Sequence, residues 1–120
     1  MRLLFLLVFS FGSLFSNEDL SFITNYEYGQ MLYSNPRGIG CVKCHGENGK
    51  GDVIATYQDR EKNGQIITKT IIAPDISQKT IDEFKKVLNV KKSESLVMPT
   101  YFLTNEEIES IHYYITNKGR

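Results

Sequence analysis

Cys41, Val42, Lys43, Cys44 and His45 stand consecutively in this chain and hold both of its cysteines and one of its two histidines. A Cys-x-x-Cys-His run is the attachment signature of c-type haem. Two thiols three positions apart lie on neighbouring faces of one helical turn, where they can add to the two vinyl groups of a porphyrin. The adjoining imidazole then faces the iron from the proximal side. Other uses of these residue types fit less well. A thioredoxin-type Cys-x-x-Cys belongs beside a βαβ pattern, which is not visible here. A structural zinc needs four ligands, and Cys41, Cys44, His45 and His112 are the only soft candidates. His45 follows Cys44 too directly for all of them to reach one tetrahedral ion. A disulfide between Cys41 and Cys44 would close a very small loop and add little.

With one iron held from below by His45, the sixth ligand decides the chemistry. Beyond the initiator, the methionines are Met31 and Met98. Met98 lies in a loop between two helical patterns, ahead of Pro99, which favours an extended backbone. A thioether opposite a histidine gives the six-coordinate iron of electron carriers. Met31, beside Leu32 on a helical stretch, reads as a core gap-filler. His112 is the rival ligand, and its helical phase puts it at the edge of the last helix's isoleucine stripe.

The elements that must position these residues follow from periodicity and punctuation. Residues 17–33 read as a first helix after a frayed start, with Tyr26, Gly29, Met31, Leu32 and Tyr33 as packing candidates. Residues 34–40 form a break, carrying Pro36, Gly38 and Gly40. Residues 53–57 and 65–72 are β-branched runs around Asn63-Gly64, which predicts a β-hairpin. Residues 80–89 predict a short helix opened by a Thr80–Glu83 capping box, with Ile81, Phe84, Val87 and Leu88 on one face. Thr104 and Glu107 repeat the device before a last helix whose apolar stripe is Ile108, Ile111 and Ile115, with Tyr114 nearby.

The ends and the composition set the context. Residues 1–16 read as an export signal, with Arg2 ahead of an almost wholly apolar run that is shorter than the roughly 20 residues of a membrane span. The cut could follow Ser16 or Gly12. No cysteine follows the run, so a lipid anchor there is not expected. Residues 17–120 then make one domain with a modest core, to which a haem would add apolar surface. Fourteen basic residues balance fourteen acidic ones, which leaves no basic footprint for nucleic acid.

Taken together, the chain resembles the class I monohaem cytochrome c family of small bacterial c-type cytochromes. Gly29-x-x-x-Tyr33 resembles the family's first-helix glycine and aromatic. Cys41–His45 with Gly46, Gly49 and Gly51 resembles its haem motif and the glycines after it. Ala73-Pro74-Asp75-Ile76 resembles the proximal proline segment, and Met98-Pro99 with the ending Ile111-x-x-Tyr114-Ile115 resembles the methionine loop and last helix. The resemblance implies an all-α fold of three to four helices around one covalently bound haem c, here with an inserted hairpin. It also implies that the Pro74 carbonyl accepts the second ring proton of His45, and that the first and last helices cross at Gly29, Tyr33 and Tyr114. Two features depart from the pattern: Tyr33 stands eight residues before Cys41 rather than four, and the hairpin is extra. Tyr101 and Phe102 are candidates to wall the haem, and Lys43 and Lys50 to guide a partner.

The expected function is that of an exported, periplasmic, monomeric one-electron carrier. His45 and Met98 are its iron ligands, and Cys41, Cys44 and Pro74 complete the haem site. Its partners would be redox proteins of a respiratory chain, with no substrate at the iron and no catalytic residues. Two alternatives stand beside it: a haem subunit resident in a larger respiratory complex, and a haem enzyme or gas sensor with a displaceable distal ligand.

Overall fold

The computed structural model describes residues 22–89 and 97–119, so the expected signal segment 1–16 and the start of the expected first helix lie outside the described residues. Helix α1 spans Asn25–Ser34, α2 Val42–His45, α3 Ile81–Leu88 and α4 Asn105–Asn117, and strands β1 (Val53–Arg60) and β2 (Ile66–Ile72) form one antiparallel sheet. Helices and a hairpin, rather than helices alone, therefore make up the described residues.

Three of the helices start at the same chemical device. Thr24, Thr80 and Thr104 each accept a hydrogen bond from the backbone N–H of a glutamate three residues on, whose carboxylate reaches back to the threonine N–H. Two of these boxes are the expected ones. The third, Thr24 with Glu27, begins α1 at Asn25, well inside the stretch read as helical from residue 17.

Helices α1 and α4 cross at Gly29, where close approach requires the missing side chain. A Cβ there would lie 2.0 Å from the Ser110 carbonyl oxygen and 2.9 Å from the Tyr114 Cβ. The Tyr33 and Tyr26 rings pack against Tyr114, with centroids 5.6 and 5.0 Å away, and Ser110 Oγ donates to Asn25 Oδ1 at 2.6 Å. Ile108, Ile111 and Ile115 are buried as their spacing requires, and α3 adds Phe84 and Leu88 to the same core. Met31 departs from expectation: it is 59% exposed on the outer side of α1 and fills no core gap. Leu32 and Tyr33 take the inward positions instead.

The hairpin is longer than its β-branched runs, because Asp59 and Arg60 continue β1 opposite Ile67 and Ile66. Charged residues are tolerated there because the sheet is largely solvated, and Asp59 is ion-paired with Lys69 across the strands. Its turn closes with Glu61 N–H donating to the Gln65 carbonyl and Gln65 N–H donating to Asn63 Oδ1, both at 2.9 Å. At its base, Ala73 N–H donates to the Asp52 carbonyl at 2.9 Å. Gly51, at φ 87°, brings the incoming chain so near that a Cβ would sit 2.2 Å from the Ala73 carbonyl oxygen. The insertion thus leaves and re-enters at one point, and Pro74 stays beside the Cys-x-x-Cys-His turn.

Candidate haem site

Cys41 is the N-cap of α2, and the short helix is closed by His45 N–H donating to the Cys41 carbonyl at 2.9 Å and Gly46 N–H to the Val42 carbonyl at 3.0 Å. Both thiols are free and partly buried. Beyond the motif, Tyr33 Oη donates to the Gly46 carbonyl at 2.6 Å, so the helix-crossing core also fixes the exit of the haem turn. The spacing of Tyr33, eight residues before Cys41, gave no hint of this bond.

His45 is buried, and its Nδ1 lies 2.9 Å from the Pro74 carbonyl oxygen. A carbonyl can only accept, so Nδ1 carries the proton and the ring's lone pair is on Nε2. That is the tautomer an iron ligand needs. Pro74 is itself anchored: Ile76 N–H donates to the Gly49 carbonyl at 2.7 Å, and Asp75 Oδ1 accepts from Ser77 N–H at 2.8 Å.

Two cavities border His45. One, of about 370 Å3, is walled by Ile76, Phe84, Val87, Leu88 and Ile111, with Lys79, Glu83 and Lys86 at its mouth. The other, of about 260 Å3, is walled by Ile54, Ile71, Ile72, Val97, Pro99 and Tyr101, and includes Cys44. Cys41, His45, Pro74 and Met98 line both. The two spaces are halves of one apolar slot, with the histidine and the methionine common to each half. Burial pushes the Cys41 thiol up to about 11, so it stays a neutral thiol in apolar surroundings. A flat, largely apolar macrocycle linked through thioethers fits such a slot.

The slot explains a discrepancy on α3. Val87 has the phase of a core residue yet is 51% exposed. It faces the slot, and a bound macrocycle would cover it. The slot also recruits residues that sequence reasoning did not assign: Ile54, Ile71 and Ile72 at the hairpin base. Their only signal was a β-branched run ending directly before Ala73-Pro74. Tyr101 lines the slot, whereas Phe102 is 84% exposed and walls nothing on this side.

His112 lies elsewhere. Its Nε2 is 2.9 Å from the Lys79 carbonyl oxygen, and its ring packs edge-on against Phe84 at 5.0 Å. Among the described residues no cluster of three or more His, Cys, Asp and Glu has metal-binding geometry. Lys50 Nζ donates to Ser77 Oγ at 3.0 Å and sits 4.0 Å from Asp75, so it braces the proximal segment, while Lys43 is exposed.

Comparison with known proteins agrees with this geometry. No match was found among curated proteins or among solved structures. The sequence profile of the family described as Cytochrome c, however, matches residues 26–118. That span runs from the first helix to the end of the last and takes in every residue of the slot. The chain belongs to the cytochrome c family, whose members are haem-containing electron-transfer proteins.

Proposed function

We propose that the protein is an exported, periplasmic carrier of single electrons, holding one haem c through thioethers to Cys41 and Cys44, with His45 and Met98 as axial ligands. The observation that carries this is the sharing of one slot by His45 and Met98, which line both of its halves. The bound haem would supply a ferrous–ferric couple, and a thioether opposite an imidazole favours the ferrous form more than a second histidine does.

The chain's own part is to orient and to exclude. Pro74 holds the proton on His45 Nδ1, which fixes the ring and strengthens it as a donor. Ile54, Ile71 and Ile72 on one side, and Phe84, Leu88 and Ile111 on the other, keep water away, and a drier site disfavours the extra charge of ferric iron. Export is supported by the signal-like residues 1–16, and no helix among the described residues is long and apolar enough to cross a membrane. Balanced charge supports brief docking on respiratory redox partners through an apolar rim. Val87 and Val97, 51% and 42% exposed, stand at the slot's two sides. Such docking would draw little on long-range steering.

The test is Met98→Ala. Its iron should bind carbon monoxide and its potential should fall, while covalent haem content stays that of the wild type. An unchanged spectrum and potential would remove Met98 as a ligand.

A further inference from the structure

We propose that residues 34–40 are a brace for the methionine loop, in which Arg37 and Tyr101 act as positioning residues that set how readily Met98 leaves the iron. The inference rests on Met98 being an axial ligand and deepens that assignment.

Met98 lies in residues 97–103, which belong to no helix or strand, so no ladder of the sheet or helix kind fixes the segment. Facing it is the loop between α1 and α2. The two segments border a cleft of about 310 Å3 between Pro36–Ile39 and Pro99–Phe102, and side chains bridge it. Tyr101 Oη donates to the Ile39 carbonyl at 2.6 Å. Arg37 Nη2 donates to the Phe102 carbonyl at 2.7 Å, and the same guanidinium grips both Glu107 oxygens of α4 at 2.8 Å.

The loop is built for this grip. Arg37 holds φ at 62°, a left-handed conformation that strains a non-glycine residue and persists only where the surroundings impose it. A glycine would relieve the strain but could not bridge to Phe102 or Glu107. Pro36 beside it is fully buried, and Gly40 lies against the end of α1, where a Cβ would be 2.3 Å from the Ser34 carbonyl oxygen. The loop is therefore anchored on the α1 side and reaches across to the methionine side. Tyr101 completes the connection, because its ring also lines the slot with Met98 and Pro99. Losing either bridge would let the thioether swing away more often.

The experiment is imidazole titration of the ferric holoprotein, following loss of the sulfur-to-iron charge-transfer band. Beside it, urea unfolding would be measured on the same samples. Tyr101→Phe keeps the ring as a wall and removes one hydrogen bond, so imidazole should displace the thioether at about fivefold lower concentration. Arg37→Gln removes charge-assisted bonds and should lower it by about tenfold or more. Thr24→Ala, which uncaps α1 at a residue that lines neither the slot nor the cleft, should lower the urea midpoint but leave imidazole displacement unchanged. If Arg37→Gln does not fold, Tyr101→Phe still decides. Displacement within twofold of wild type in both variants, with the band present, would overturn the brace while leaving Met98 as ligand. So would a Thr24→Ala effect as large as theirs, since the loop would then only report global stability. A wild type without the band, and identical to Met98→Ala, would remove the ligation and the brace together.

Discussion

Glu107 is where the haem-side loop, the first helix and the last helix are tied to one carboxylate, and Glu107→Gln tests how much that knot contributes. Its oxygens accept from Arg37 at 2.8 Å, from Thr104 N–H at 2.8 Å and from Tyr28 Oη at 3.2 Å. Chiefly through the Arg37 bond, and then through Thr104, the carboxyl is held at about 2 against an ordinary value of 4.5. At about 1.36 kcal/mol per pH unit, this difference corresponds to roughly 3 kcal/mol at neutral pH. Only 11% of the Glu107 side chain is exposed, but Arg37 is 56% exposed and solvent screens the pair. A glutamine also retains some of the hydrogen bonds, so the expected loss is on the order of 1–2 kcal/mol. The sign follows from the lowered value: the contribution is complete above 4.5 and disappears as pH falls towards 2. Glu27, Glu83 and Asp75 are lowered too, by their hydrogen bonds to Thr24, Thr80 and Ser77, so acid weakens the fold at several points. The informative quantity is therefore the difference between wild type and variant. Urea unfolding of the holoproteins at pH 7 should show that gap, and it should close by about pH 2. Equal stability at pH 7, or a gap that persists undiminished in acid, would refute the reasoning.

Gly29→Ala should be severe despite alanine's higher helix propensity. The new methyl group meets the Ser110 backbone at 2.0 Å, so α1 and α4 must part; a loss of about 2–3 kcal/mol in urea unfolding is expected, and no loss would place the crossing elsewhere. Cys44→Ala leaves Cys41 as the one thiol, so at most a single thioether can form, and the covalent haem retained on a denaturing gel should fall below that of the wild type; wild-type covalent loading would contradict the attachment geometry.

What the sequence disclosed was local in its physics. The haem turn, the hairpin around Asn63-Gly64 and the capping boxes at Thr80 and Thr104 are each written within a few consecutive residues. The Thr24–Glu27 box is equally legible, and the helix that it opens starts at Asn25 rather than at residue 17. What stayed hidden depends on distant partners. Nothing around Met31 distinguishes it from Leu32 until α4 chooses a face. Val87 has a core phase but faces a space meant for a cofactor. Arg37 takes a backbone conformation that an Asn-Pro-Arg-Gly stretch does not announce, because the reason for it lies seventy residues on, at Glu107. In the slot, Cys41, Cys44 and His45 follow from spacing. Met98 follows from its loop, its proline and its thioether, Pro74 only from family resemblance, and the hairpin's isoleucines emerge only when the chain folds back on itself.

The central claim is that one iron is held between His45 and Met98 and closed to outside ligands. The direct measurement is an absorption spectrum of the protein expressed for export with haem-maturation machinery, oxidised, reduced, and reduced under carbon monoxide. A low-spin ferrous spectrum that carbon monoxide does not shift, with a ferric sulfur-to-iron band, is the predicted result. A high-spin spectrum that responds to carbon monoxide would contradict it and point to an open iron.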